Sequence, residues 1–368
     1  MKMWSVLRRN RHSAWLAFVM LAILLLVLPF ATDALFGHSW VRIMDFALLY
    51  IMLALGLNIV VGYAGLLDLG YIAFFAVGAY CYALLSSPQF GIHLPFWLVL
   101  PAGAALACLF GVLLGAPTLR LRGDYLAIVT LGFGEIIRIF LNNLNAPLNI
   151  TNGPQGINAI DSVHLGGFSL GATQQLFGIT FPSVHLYYYL FLCVTLLVIF
   201  VSMRLEDSRI GRAWMALRED EVAAAAMGIN TRNIKLLAFA MGATFGGAAG
   251  GLFAGFQGYI SPESFGLTES VMVVCMVVLG GMGNIRGVIL GGVLLVLLPE
   301  ALRNGAGPTQ QALFGKSYID PESLRMLLFG LSLIIVMLVR PAGLWPSTQR
   351  RRELASDDEQ EALYDSTH

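Results

Sequence analysis

Recurrent long apolar runs constrain this chain more than any other feature. A helix needs about 20 apolar residues to cross the hydrocarbon core of a bilayer. About ten such runs occur, near 14–30, 43–61, 71–86, 96–115, 125–142, 186–203, 236–257, 267–282, 287–302 and 324–339. The third, eighth and ninth are short, as a half-span or a tilted helix beside a break would be. Of 368 residues, 57% are hydrophobic and 12% charged, against about 25% charged in soluble domains. In water such a chain would expose too much apolar surface to stay dispersed. The expected fold class is therefore all-α: a polytopic integral protein of the lipid bilayer with about ten transmembrane helices. Its membrane domain covers about 1–346, and a polar tail follows at 347–368.

Lys and Arg set the orientation. With the N-terminus inside, Lys2, Arg8, Arg9, Arg11, Arg120, Arg122, Arg204, Arg209, Arg212, Arg218, Arg232, Lys235, Arg286, Arg340 and Arg350–Arg352 all fall on the inner side. Only Arg42, Arg303 and Lys316 fall outside, and the flipped chain would violate the positive-inside rule. Ten spans return the C-terminus to the inner, cytoplasmic side. The first run follows basic residues but lacks a clean small-x-small cleavage site, so it reads as an uncleaved helix. The stretch 143–185 has no Lys or Arg and reads as a partly ordered outer loop. Net charge is zero, so no global field draws nucleic acid. Cys81, Cys108, Cys193 and Cys275 lie inside apolar runs without a CxxC pair and read as packing residues.

Lipid gives helices no hydrophobic drive to associate, so small residues must let backbones approach. The seventh run carries two such rows, Gly242, Gly246, Gly250 and Gly247, Gly251, Gly255, and a third runs through Gly283, Gly287 and Gly291. They predict a tight bundle; a path-lining role for some rows stays open. Between the second and third runs, 62–70 is punctuated by glycine and carries Asp68. Irregular backbone at membrane depth needs cover from protein or a watery cavity, and broken helices are frequent at transport sites.

Intramembrane charges are functional candidates by default. Glu135 and Arg138, with Asn142 one turn on, share one helical face. They suit either a polar wall of a translocation path or an ion pair locking two helices. Glu269 opens the eighth run near the outer face, as a helix-terminal anion or a ligand contact, and Arg325 reads as an interfacial anchor. Asn58, Asp68, Glu135, Arg138, Asn142 and Glu269 are the candidate path residues.

The longest inner connection, 204–235, has an expected helix capped by Asp207 or Ser208 and ended by Gly228. Its apolar side carries Trp214, Met215, Leu217, Val222, Ala225, Ala226 and Met227, and its charges are Arg212, Arg218, Glu219, Asp220 and Glu221. Asn230 or Thr231 restarts a helix. Such a segment can lie on the membrane or dock in a protein groove; the acidic cluster favours a protein. There is no HExxH, no GxSxG and no set of His ligands, so neither enzyme chemistry, a metal nor a cofactor is expected. Phe314–Ser317 ends like a phosphate-binding loop, but Gln310 stands where its first Gly is needed. Any ATP that energises this chain must be bound by another subunit.

Several segments together resemble the permease family of high-affinity branched-chain amino acid ABC importers, in its LivM-type form. They are Gly56-Leu57-Asn58-Ile59-Val60-Val61-Gly62-Tyr63-Ala64-Gly65, Leu69-Gly70 with Phe74, Phe75, Gly78, Ala79 and Tyr80, Leu119-Arg120-Leu121-Arg122-Gly123-Asp124-Tyr125, and Thr130-Leu131-Gly132-Phe133-Gly134-Glu135-Ile136-Ile137-Arg138. Thr151-Asn152-Gly153-Pro154-Gln155-Gly156, Gly211-Arg212-Ala213 through Glu219 to Gly228, Val278-Leu279-Gly280-Gly281-Met282-Gly283 and Arg340-Pro341-Ala342-Gly343-Leu344 complete the likeness over roughly 40–346. The resemblance implies a second, homologous permease, two cytoplasmic ABC ATPases, a periplasmic substrate-binding protein and a bacterial inner-membrane location. It makes 209–228 the helix that couples to an ATPase, with Arg212, Trp214, Arg218, Glu219, Asp220, Glu221 and Gly228 as contact candidates. Val222 interrupts the Glu-Ala-Ala order of other ABC permeases. Relatives carrying urea or short amides leave those substrates open, and a self-contained secondary transporter is the alternative class.

Overall fold

The computed structural model describes residues 11–118, 121, 123–147, 149–165, 168–176 and 179–314, with 327, 330, 331, 334, 338 and 343–345. The chain is a mostly helical, multi-pass membrane protein. Its described helices are α1 (Arg11–Phe36), α2 (His38–Leu57), α3 (Ile72–Leu85), α4 (Phe96–Thr118), α5 (Asp124–Asn143), α6 (Ser183–Glu206), α7 (Arg209–Glu219), α8 (Glu221–Ala226), α9 (Thr231–Gln257), α10 (Leu267–Gly280) and α11 (Ile285–Phe314). A π-helix, Asn58–Tyr63, prolongs α2. Among the described residues, five segments are long and apolar enough to cross a membrane: His38–Tyr63, Phe96–Thr118, Ser183–Glu206, Thr231–Gln257 and Pro262–Gly280. Ala22–Phe36 and Ile72–Leu85 are shorter apolar helices. Of the tenth run, only 327, 330, 331, 334 and 338 are described, each helical; Arg120, Arg122, Lys316, Arg325, Arg340 and the tail lie outside the described residues.

Not all of the chain is helical. Between α3 and α4, β1 (Ser86–Ser87) pairs antiparallel with β2 (Ile92–His93). Between α5 and α6, β3 (His164–Leu165) pairs with β4 (Phe168–Ser169), and β5 (Gln174–Leu176) with β6 (Ile179–Phe181). The stretch 143–185 is thus more ordered than a polar loop requires. Its backbone is tied to the bundle where Ile157 and Ile260 exchange hydrogen bonds of 2.9 and 3.1 Å.

Helix α9 is the centre of the bundle and packs most heavily on α4 and α3, then on α2. Its two glycine rows divide that work. Gly242, Gly246 and Gly250 face α2 and α3: Gly242 meets Val60 and the Gly56 carbonyl, Gly246 meets Tyr71 and Phe74, and Gly250 meets the backbone of Phe75 and Ala79. Gly247, Gly251 and Gly255 face elsewhere, toward Gly103 and Ala107, Leu100 and Tyr82, and Tyr82 and Val163. A Cβ at Gly78 would land on the Gly247 backbone. Both rows are packing surfaces within the chain. Gly287 and Gly291 press α11 onto Gly280 of α10. Outward-facing Leu98, Leu109 and Leu113 of α4 and Leu197 and Phe200 of α6 are exposed, as lipid-facing side chains must be.

Candidate functional site

Helix α2 does not end at a cap. It loosens into the π-helix Asn58–Tyr63, and the chain then runs without helix from Gly65 to Gly70 before α3 begins. Unwound backbone inside a bundle strands its N–H and C=O groups, each of which costs several kcal/mol unpaired in an apolar medium. Three neighbouring elements supply partners, and the segment's own Asn58 serves a fourth. Arg218 of α7 donates from Nη1 to the Gly62 carbonyl at 2.7 Å. Thr130 Oγ1 of α5 accepts from the Leu69 N–H at 3.0 Å, and Ser270 Oγ of α10 donates to the Leu69 carbonyl at 2.5 Å. Asn58 Oδ1 accepts from the Gly283 N–H, in the α10–α11 turn, at 2.9 Å.

The candidate Asp68 works locally. Its Oδ1 accepts from the Gly70 N–H at 2.9 Å, while Oδ2 is buried without a hydrogen-bond partner. Gly70 packs against the Thr130 carbonyl so closely that a Cβ would collide with it. The α10–α11 turn is the second break. Gly281 and Gly283 have φ of 120° and 78°, a region glycine enters at no steric penalty. A Cβ on Gly283 would lie 3.3 Å from Arg218 Nη1. Arg218 therefore sits where the two breaks meet.

What holds Arg218 there is the fold of 204–235. Ser208 caps α7 by accepting from the Gly211 N–H at 3.1 Å. Trp214 is fully buried and donates from Nε1 to the Ile234 carbonyl of α9 at 2.9 Å; Leu217 is buried beside it. Asp220 then breaks the expected single helix in two, capping α8 through the Val222 and Ala223 N–H groups at 2.7 and 3.1 Å. Lys235 Nζ holds Glu221 Oε1 at 2.6 Å, Gly228 follows α8 with φ of 86°, and Asn230 caps α9.

Two expectations change here. Trp214 is an anchor within the chain and not a surface offered to a partner, because its ring packs inward and its N–H is spent on α9. The apolar side is also split: Val222 and Met227 are 67% and 83% exposed. Arg212, Glu219, Asp220, Val222 and Met227 are among the residues exposed on the outward surface, with Arg209, Ala223, Ala225, Ala226 and Gly228.

The remaining candidates do not converge on one point. Arg138 binds Glu135 from Nε and Nη2 and reaches Glu263 with Nη1 at 2.9 Å, so this ion pair joins α5 to the turn before α10. Asn142 stays apart, with Oδ1 buried and without a partner. Among the described residues no hydrogen bond or ion pair joins any two of the six path candidates except Glu135–Arg138. Glu269 accepts from the Tyr50 hydroxyl at 2.6 Å. Tyr50 lies midway along the segment His38–Tyr63, so Glu269, in the first turn of the 14-residue α10, meets that segment at its middle.

Sequence reading passed over Asp45, which is fully buried in α2 with neither carboxylate oxygen hydrogen-bonded. A lone acid in the second apolar run was its only signal. Of the two hydroxyls that hold the break, Ser270 had no sequence signal, since a hydroxyl in an apolar run is ordinary, and Thr130 stood only as the first residue of a stretch that carries the family resemblance.

Comparison with known proteins bears on the whole assembly of helices. A family profile described as "Branched-chain amino acid transport system / permease component" matches residues 39–337. The chain is 43% identical over 342 residues to the Escherichia coli K12 "High-affinity branched-chain amino acid transport system permease protein LivM", covering 90% of this chain and 75% of that protein. It is 42% identical to the Salmonella typhimurium LivM, over 90% and 76% of the two chains. The Salmonella typhimurium LivH is 28% identical over 80% and 90%. No solved structure matches.

Proposed function

Because the chain belongs to the permease family of branched-chain amino acid transport systems, we propose that the Arg218 clasp on the unwound segment is where ATP-driven motion enters its pore. The chain is a transport permease and not an enzyme. It forms half of the translocation path of an ABC importer for branched-chain amino acids or a related small solute. A homologous permease supplies the other half, one of two ATPases sits on the α7–α8 surface, and a periplasmic binding protein delivers substrate to the β-hairpin end. The membrane is the bacterial inner membrane. About ten spans cross it, comprising α1 to α6, α9 to α11 and the run at 324–339, with both termini on the α7 side.

The observation that carries this reading is the hydrogen bond from Arg218 to the Gly62 carbonyl. Closure of the ATPases displaces α7. Trp214 makes that helix move as one body with the start of α9, and Arg218 passes the displacement to both breaks. A π-helix followed by extended chain has few helical hydrogen bonds to lose, so it changes conformation more readily than α9. Leu69 and Gly70, at the far end of the same segment, then shift against Thr130 and Ser270. Glu269 and Tyr50 lie at mid-span beside Ser270, where a zwitterionic substrate would meet a carboxylate. Asn58, Asp68, Glu135 and Arg138 line or brace the path.

The test is purification of the tagged chain in mild detergent, identification of the subunits that come with it, and reconstitution in liposomes. The expected result is a complex with a second permease and two ATPases that takes up leucine only with ATP and binding protein. Arg218→Ala should leave the complex intact and lower uptake about tenfold, as loss of a charge-assisted bond worth about 1.5–3 kcal/mol allows. A chain that purifies alone and carries solute on a proton or sodium gradient is a secondary transporter, and uptake of urea or a short amide in place of leucine reassigns the substrate.

A further inference from the structure

The histidines are scattered in sequence, yet the fold gathers two of them with an aspartate at the β-hairpin end. Asp33 lies in the last turns of α1, His38 opens α2 after the Gly37 bend, and His185 lies in the first turn of α6. One ligand-type atom from each falls within 4.8 Å of the others. His38 Nδ1 is 2.8 Å from Asp33 Oδ1, and His185 Nε2 is 3.5 Å from Asp33 Oδ2.

Ordinary hydrogen bonding explains only half of this cluster. The His38–Asp33 pair is partly exposed and self-sufficient. His185 is different: it is fully buried, and neither ring nitrogen makes a hydrogen bond of ordinary geometry, with the Pro29 backbone as its nearest backbone acceptor. Phe30 stacks on its ring with centroids 5.1 Å apart, and Phe181 packs edge-on against Phe30 at 5.5 Å, so one side of the imidazole is closed by aromatic surface. Buried polar groups are almost always paired, and an imidazole aimed at a carboxylate from 3.5 Å is paired best by a cation between them.

We propose that Asp33, His38 and His185 form a binding site for a divalent cation of the zinc type. Two imidazoles and one carboxylate are the donor set that suits Zn2+ among the first-row ions. Zinc bonds of about 2.0–2.2 Å in tetrahedral geometry place ligand atoms about 3.4 Å apart, close to the His185–Asp33 separation. Three protein ligands leave the fourth position to water, and the exposed His38 gives the ion a way in. Loading breaks the short His38–Asp33 hydrogen bond: the Nδ1 proton is given up to solvent as Nε2 takes one from solvent, so His38 binds the ion as a neutral imidazole through Nδ1. The ion would tie α1 to α2 and α6, whose other direct hydrogen bonds to α1 include those from Tyr188 and Tyr189 to the Leu25 and Leu26 carbonyls.

The experiment uses the full chain in mild detergent, with a purification tag free of histidine. The protein is stripped with chelator, offered zinc sulfate, desalted, and assayed for bound zinc and for its melting midpoint. Expected is about one zinc retained per chain, a midpoint raised by zinc, and loss of both effects in His38→Ala and in Asp33→Asn, with affinity down by more than about tenfold. His38 is 69% exposed, so His38→Ala should fold as the wild type does, with the same zinc-free midpoint. No retained zinc, or equal zinc in the wild type and in either variant, overturns the site.

Discussion

Two regions share helix α2 and are built on opposite terms. Along α9, contact with α3 and α4 is made mainly through glycine and alanine at close backbone approach, with one buried hydrogen bond from the Tyr71 hydroxyl to the Gly242 carbonyl at 2.8 Å. At 58–70, contact is made by one hydrogen bond at a time from Arg218, Thr130, Ser270 and Gly283. Dispersion contacts are individually weak, dense and steep with distance, so the glycine interface has one good arrangement. Hydrogen bonds can be exchanged for others of similar energy, so the unwound segment can have two. The first region is a frame; the second is the part of the molecule that can move against it.

The largest effect should come from damage to the frame. A Cβ at Gly250 would strike the Phe75 carbonyl, so Gly250→Val should cost about 3 kcal/mol, the upper end of overpacking. A sharply lower melting midpoint and lower yield are expected. Near-wild-type stability would mean that the α3–α9 contact is not the frame. Next comes Arg218→Ala, which should leave the midpoint nearly unchanged while uptake falls about tenfold. If it destabilises as much as Gly250→Val, the clasp belongs to the frame and the contrast fails.

Ser270→Ala removes the donor to the Leu69 carbonyl. One buried acceptor left unsatisfied costs about 1–3 kcal/mol, and the loss should fall on transport more than on melting, since only the mobile segment loses a partner. Hydrogen exchange at Leu69 and Gly70 would register it directly. The smallest effect is expected at Asp220→Ala, which removes the α8 cap and should cost about 1 kcal/mol of local order. That loss should appear in the yield of ATPase-bound complex and not in the midpoint of the chain alone. An unchanged yield would place the ATPase contact elsewhere on the 209–228 surface.

Much of this protein was written in its sequence for a plain reason. Bilayer thickness and the obligation to pair every backbone group act on each segment separately, so apolar runs of the right length and glycines four apart can be read without knowing neighbours. The runs at 71–86, 96–115, 186–203 and 236–257 fall on α3, α4, α6 and α9 within a few residues, and the caps at Ser208 and Asn230 obey the same local rules. The glycine-punctuated break at 62–70 was visible for that reason too. Which groups meet across the bundle was not. Trp214 turns inward with its N–H on the Ile234 carbonyl, Glu269 meets the Tyr50 hydroxyl across 219 residues, and Arg218 is separated by 156 residues from the Gly62 carbonyl it holds. Asp33 and His185 come together across a similar distance. Pairings of that kind depend on where other helices end, and only the packed chain decides them.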